Sequence, residues 1–251
     1  MKSSLILRIA FFVLAIAATA SCAFDDATRK QSSYHYQMGL SHLAEKNVTK
    51  ALIEFAEAEK LTPDDPEVLN QLGLAYYYKK RFDLAEEKYL KALKLKPEYP
   101  EARNNLGVVY LETKRWDEAI IQLKRVTDDI FYQDQENAQM NLGLAYLGKE
   151  DFSRALAVFN SLVSSNPRSP VVRVHLGRVY FAMGKTEQAI AEYQNALQLY
   201  PEYAGAFYHL GVAYTRTRDY EAARAAFGEV VRIAPYTELS QMALDRMNAL
   251  K

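Results

Sequence analysis

A two-residue pattern returns six times along this chain: Met38-Gly39, Leu72-Gly73, Leu106-Gly107, Leu142-Gly143, Leu176-Gly177 and Leu210-Gly211. Successive glycines are 34 residues apart, except for one gap of 36. A fixed period of this size describes an array of one small unit, each copy burying its apolar face against the next. Such an array offers a long surface and no natural place for a buried reaction centre. Its default function is to hold another chain.

With the Leu-Gly pair at positions 7 and 8, the repeats run 32–65, 66–99, 100–135, 136–169, 170–203 and 204–237. Position 11 is a ring: His42, Tyr76, Tyr110, Tyr146, Tyr180 and Tyr214. Position 20 is always alanine: Ala51, Ala85, Ala119, Ala155, Ala189 and Ala223. Position 24 is large and apolar: Phe55, Tyr89, Leu123, Phe159, Tyr193 and Phe227. The apolar positions 4, 7, 8 and 11 follow a helical period, as do 20, 24 and 27, so each repeat holds two helices of about four turns. Glycine at 8 and alanine at 20 let the pair approach closely; larger side chains there would cost about 1–3 kcal/mol in overpacking. All 8 prolines fall at position 32 (Pro63, Pro97, Pro167, Pro201, Pro235) or position 1 (Pro66, Pro100, Pro170). Proline is tolerated in a first helical turn and stops a preceding helix, so these residues mark repeat borders.

This register resembles the tetratricopeptide repeat over about four-fifths of the chain. The resemblance implies an all-α fold, a right-handed superhelix of six helix-turn-helix repeats. Residues 238–251 fit one more first helix, with Leu244 at position 7 and Asp245 in place of glycine. They are expected to form the C-terminal capping helix that such arrays need for solubility. No second folded domain is expected.

The 31 basic and 31 acidic residues give zero formal charge. Removing residues 1–21, with Lys2 and Arg8 and no acid, leaves 29 bases against 31 acids, a net charge of −2. That balance argues against nucleic acid, which favours a strongly basic face. Lys79-Lys80-Arg81 and Lys114-Arg115 lie in inter-helix turns, where they either solubilise the array or meet anionic lipid.

Residues 1–21 read as a secretory signal: Lys2 and Arg8, then an apolar run from Ile9 to Ala18 too short to span a bilayer. Ala18-Thr19-Ala20 suits ordinary cleavage, whereas Thr19-Ala20-Ser21-Cys22 resembles a bacterial lipobox with threonine where leucine is usual. Cys22 is the single cysteine of the sequence and has no partner for an internal disulfide; lipidation would give it a task. Each buried methylene contributes about 0.8 kcal/mol, so two or three acyl chains hold a protein at a membrane almost permanently. Ala23, rather than aspartate, follows the cysteine. In the enterobacterial sorting pattern this resembles an outer-membrane destination; a soluble periplasmic protein is the alternative. Residues 22–31 have no apolar period and are expected to be a tether to the first repeat.

No catalytic constellation is legible, and neither an enzyme nor a cofactor is expected. His42 occupies the ring position of the first repeat, and His175 and His209 share position 6 of neighbouring repeats. A metal there would need further ligands, which no cysteine pair, HExxH or acidic cluster supplies. The glycines are repeat markers rather than a phosphate loop. Asp64-Asp65 and Asp128-Asp129, at repeat ends, read as caps or surface.

In tetratricopeptide proteins the first helices line the concave face, with positions 2, 5, 9, 12 and 13 pointing into it. Carried onto this sequence, the resemblance implies a partner groove of Tyr36, Leu40, Asn70, Leu74, Tyr77, Tyr78, Asn104, Leu111, Met140, Leu144, Leu147, Arg178, Phe181 and Tyr208. The set is mostly apolar and aromatic. The lysine-asparagine clamp with which some family members grip acidic tails is missing, because positions 5 and 9 of the first three repeats carry no lysine or arginine. A helix or apolar segment anchored by aromatic side chains fits better. The other reading of these residues is packing between adjacent repeats.

The third repeat ends Thr127-Asp128-Asp129-Ile130-Phe131-Tyr132-Gln133-Asp134-Gln135, two residues too long and with Phe131 where proline is expected. The longer junction is expected to divide the array into two halves of three repeats. A lipobox, six repeats, about 250 residues and an aromatic junction before Asn141-Leu142-Gly143 together resemble the type IV pilus biogenesis and stability lipoproteins. In that family a Tyr-Pro stands at the junction; here Tyr132 matches and Gln133 does not, and the cysteine pairs of some members are missing. The resemblance implies a pilotin, which binds secretin subunits in the periplasm and delivers them to the outer membrane. A generic periplasmic scaffold for envelope or polysaccharide assembly is the alternative, followed by an accessory subunit of an enzyme complex.

Overall fold

The computed structural model describes residues 26–250, and every described element is a helix or a turn. The thirteen helices are α1 (26–44), α2 (Val48–Leu61), α3 (Pro66–Tyr78), α4 (Phe82–Leu95), α5 (Pro100–Glu112), α6 (Trp116–Thr127), α7 (Gln135–Gly148), α8 (Phe152–Ser165), α9 (Pro170–Ala182), α10 (Thr186–Leu199), α11 (Ala204–Thr217), α12 (Tyr220–Ile233) and α13 (Glu238–Ala249). Odd-numbered helices are the first of each repeat and even-numbered ones the second. The signal segment and Cys22 lie outside the described residues. Residues 26–31, expected as tether, belong to α1, and Ser32 is buried with its hydroxyl donating to the Ala58 carbonyl at 3.3 Å.

Sequence dictates where these helices begin. Asp65 and Ser169 precede the prolines that open α3 and α9, and their side chains accept backbone N–H groups of the first turn. Asn47, Asp151, Asp219 and Thr237 cap α2, α8, α12 and α13 in the same way. Each such cap contributes about 1 kcal/mol.

The turns between paired helices carry a feature that their polarity alone does not announce. Position 15 of every repeat is left-handed: Lys46, Lys80, Lys114, Glu150, Gly184 and Arg218, with φ between 58° and 77°. Behind it, the N–H of position 16 donates to the ring residue at position 11: Asn47 to His42, Arg81 to Tyr76, Arg115 to Tyr110, Asp151 to Tyr146, Lys185 to Tyr180 and Asp219 to Tyr214, at 2.8–3.0 Å. This is the six-to-one bond of a Schellman stop. Only repeat five uses glycine, the residue for which that conformation carries no Cβ penalty. Glu150→Gly should therefore raise stability by up to about 1 kcal/mol, and Gly184→Ala should lower it by about as much. Urea midpoints followed by circular dichroism test the two opposite signs.

The core is built by the positions that define the period. All six position-20 alanines are fully buried. A Cβ added to Gly39, Gly73, Gly143, Gly177 or Gly211 would lie 2.5–2.7 Å from the ring at position 24 of the same repeat: Phe55, Tyr89, Phe159, Tyr193 or Phe227. The glycine thus makes room for that ring.

The chain forms two compact units, divided at Val109 and Tyr110 within α5. This corrects the expectation that the irregular junction separates halves, because α6 and α7 on either side of it pack together. The extra residues are absorbed in a pinned turn. The Asp129 side chain accepts the Phe131 N–H at 2.9 Å, the Gln135 side chain donates to the Asp129 carbonyl, and Tyr132 is buried beside Val126 and Ala138.

Candidate functional site

In the second unit α7, α9, α11 and α13 touch in succession, whereas among the described contacts α8, α10 and α12 do not touch one another. First helices that meet their next-but-one neighbours lie on the inner side of a curved layer. Of the candidates from the sequence register, Met140, Leu144, Leu147, Arg178, Phe181 and Tyr208 belong to α7, α9 and α11.

In the first unit Tyr36 and Leu40 pack against Phe55, Leu72 and Ala75 and keep part of their surface open. Tyr77 sits edge-on to Tyr78 at 5.8 Å and against Phe82 at 5.7 Å. Tyr78 is 55% exposed. Leu74 and Asn104 are half-buried. Asn70 is buried and accepts a hydrogen bond from the Asn105 side chain at 3.1 Å, so it joins adjacent repeats.

In the second unit Leu111, Met140, Leu144, Leu147, Arg178 and Phe181 are half-buried. Tyr208 is buried, with its ring 5.9 Å from Phe227, and its hydroxyl accepts from Arg246 Nε at 3.0 Å. A cavity of about 360 Å³ opens here between Leu147, Phe181, Tyr208, Val212 and the two guanidinium groups of Arg178 and Arg246.

The two histidines do not meet as metal ligands. His175 stacks on Phe159 at 5.6 Å and His209 on Tyr193 at 5.7 Å, each ring lying on the position-24 ring of the preceding repeat. Burial first, and then the charge of Arg178, pushes both imidazoles down to about 4, with His209 adding to the effect on His175. Both are neutral near pH 7, so His175 Nδ1 accepts from Arg178 Nη1 at 3.0 Å. Burial also lowers the Arg178 pKa from its usual value. No group of three or more metal-ligating side chains occurs among the described residues. No described helix is long and apolar enough to cross a membrane.

Two contacts at this site were not read from the sequence, although the register places Arg216 itself at inner position 13 of repeat six. Arg216 lies over the Phe181 ring at 3.4 Å and donates to the Phe181 carbonyl at 2.6 Å. Arg246 comes from α13, the helix expected only to cap. The signal was available: continuing the register into α13 places Arg246 at position 9, the place Arg178 holds in repeat five.

Tetratricopeptide repeat profiles match residues 73–114, 146–193, 177–217 and 204–237, together more than half of the sequence. The chain belongs to the tetratricopeptide repeat family. As a tetratricopeptide protein it carries a protein-interaction scaffold, the kind of fold that binds protein partners. The peroxisomal targeting signal receptor of Saccharomyces cerevisiae is 35% identical over 75 residues, 30% of this chain and 12% of the receptor. The tetratricopeptide chain thus spans a small fraction of the curated relatives it matches. Among solved structures, Pseudomonas aeruginosa PilF superposes with a TM-score of 0.67 at 21% identity, covering 88% of this chain and 99% of that one. PilW, described as a widely conserved type IV pilus biogenesis factor, gives 0.74 at 20% identity, covering 85% and 98%. At these identities the likeness is one of fold.

Proposed function

We propose that this tetratricopeptide protein is an exported, lipid-anchored scaffold of type IV pilus biogenesis that pilots secretin subunits to the outer membrane. The observation that carries the reading is the near end-to-end match to PilF and PilW, 99% and 98% of those chains. The lipobox-like Thr19-Ala20-Ser21-Cys22 supports it, as does the aromatic first-helix surface around Tyr77 and Tyr78. Two features do separate work in this account. Acyl chains at Cys22 set the destination, and the first helices hold the cargo.

The absent proline after Tyr132 and the absent cysteine pairs favour a second reading, a periplasmic scaffold for envelope or polysaccharide assembly. Cys22→Ser separates anchoring from binding. The variant should still bind a secretin, while secretin multimers fail to reach the outer membrane in fractionated cells. Normal outer-membrane multimers in that strain would refute the pilotin reading.

A further inference from the structure

The cavity between α7, α9, α11 and α13 combines an apolar wall with cations that, among the described residues, face no carboxylate. Leu147, Phe181, Tyr208 and Val212 supply the wall, and no aspartate or glutamate lines it. Arg178 hydrogen-bonds a neutral imidazole, and Arg246 donates to a tyrosine hydroxyl. Elsewhere in the second unit Arg115, Arg154, Arg173 and Arg232 face the carboxylates of Glu118, Asp151, Glu192 and Glu229, while Arg216 and Arg224 donate to backbone carbonyls. A half-buried guanidinium without a counter-charge carries a desolvation cost that an incoming anion would offset. The cavity volume, about 360 Å³, lies at the lower end of the range of ligand pockets and suits one or two bulky side chains.

We infer that this cavity is the anchor site for a partner segment in which a bulky apolar residue is flanked by aspartate or glutamate side chains. The apolar residue fills the space over Tyr208 and Val212, and the flanking carboxylates meet Arg178 on α9 and Arg246 on α13. Two separated cations fit carboxylates on either side of an anchor better than one chain terminus. Arg216, already engaged with Phe181, holds that ring in place at the edge. Charge complementarity of this kind sets specificity and on-rate. The inference rests on the proposed scaffold role and names the chemistry of its cargo.

Titrating the full chain with three fluorescent peptides tests it: a capped peptide with a Phe-Leu core between glutamate pairs, the same core between lysine pairs, and an uncharged core with a free C-terminus. The glutamate peptide should bind at least about tenfold more tightly than the other two, and Arg246→Gln and Arg178→Gln should each erase most of that preference. Arg246 is exposed, so its variant keeps the fold; circular dichroism checks Arg178→Gln. Equal binding of the first two peptides, tighter binding of the free-terminus peptide, or an unchanged preference in Arg246→Gln would overturn the inference. Failure of the pilotin reading is a different result. In that case no secretin is retained from envelopes although the arginine-dependent peptide preference persists. Secretin capture untouched by both arginine variants would remove the cavity and leave the scaffold role standing.

Discussion

Phe159→Ala should lower the stability of the second unit by about 3–5 kcal/mol, the range for deleting a buried ring. Phe159 is fully buried; it faces the open side of Gly143 and carries the stacked ring of His175 from the next repeat. Its loss empties the space between α7 and α8 and removes the floor on which α9 rests. Gly143→Ala alone should cost about 1–3 kcal/mol, because the new Cβ would stand 2.7 Å from Phe159 Cζ. Combined, the two should cost clearly less than their sum, since the added methyl enters the space the ring has left. Side chains in direct contact couple in this way, typically by 0.5–3 kcal/mol. Urea unfolding of the four proteins in the cycle measures the coupling; strict additivity would mean that glycine at position 8 serves some purpose other than making room for the ring.

Acid should begin to destabilise the second unit at about pH 6.5. His175 and His209 titrate near 4 in the folded chain, against 6.5 for an ordinary histidine. Above about pH 6.5 both states are neutral at these sites, and folding gains or loses nothing. As pH falls below that value the unfolded chain takes up protons that the folded chain refuses, so stability declines until about pH 4 and then levels off. The loss should be on the order of 3 kcal/mol for each histidine. The carboxylates of Glu118 and Asp151, held low chiefly by hydrogen bonds from Arg115 and Arg154, lose their contribution only as pH falls through their own lowered values. His175→Gln with His209→Gln should therefore flatten the profile between pH 6.5 and 4 while leaving the steeper fall below it. An unchanged slope in the double variant would show that the imidazoles are not the groups responsible.

Much of the fold was legible because each repeated position has one packing task. Glycine at 8 meets a ring at 24 in five of the six repeats, alanine at 20 is buried in all six, and a period of 34 writes this packing out along the chain. The left-handed stop at position 15 escaped the sequence reading because lysine, glutamate and arginine carry it in five of six repeats, and none of these residues signals a positive φ. The junction after α6 misled for a related reason. Its two extra residues suggested a division, yet Tyr132 and Gln135 tie the turn down, leaving Ile130 and Phe131 82% and 86% exposed. Of the residues that line the cavity, Leu147, Arg178, Phe181 and Tyr208 were candidates from the register. It could not say that Asn70 and Tyr208 are engaged inside the array, because position 5 faces both the neighbouring repeat and the open side. Nor did it reveal the neutral state of the histidines, which depends on their burial within the array and on the nearby charge of Arg178.

The central proposal is that the first-helix surface holds a secretin subunit as its cargo. Immobilised full-length chain, incubated with detergent-solubilised envelopes, tests it most directly when compared with the Tyr77→Ala, Tyr78→Ala double variant. Exposed aromatic anchors of this kind commonly carry about 2 kcal/mol or more of binding. The account predicts that the unaltered chain retains a secretin and that the double variant loses it while its helical circular dichroism is unchanged. Retention of the secretin by both proteins, or by neither, would contradict it.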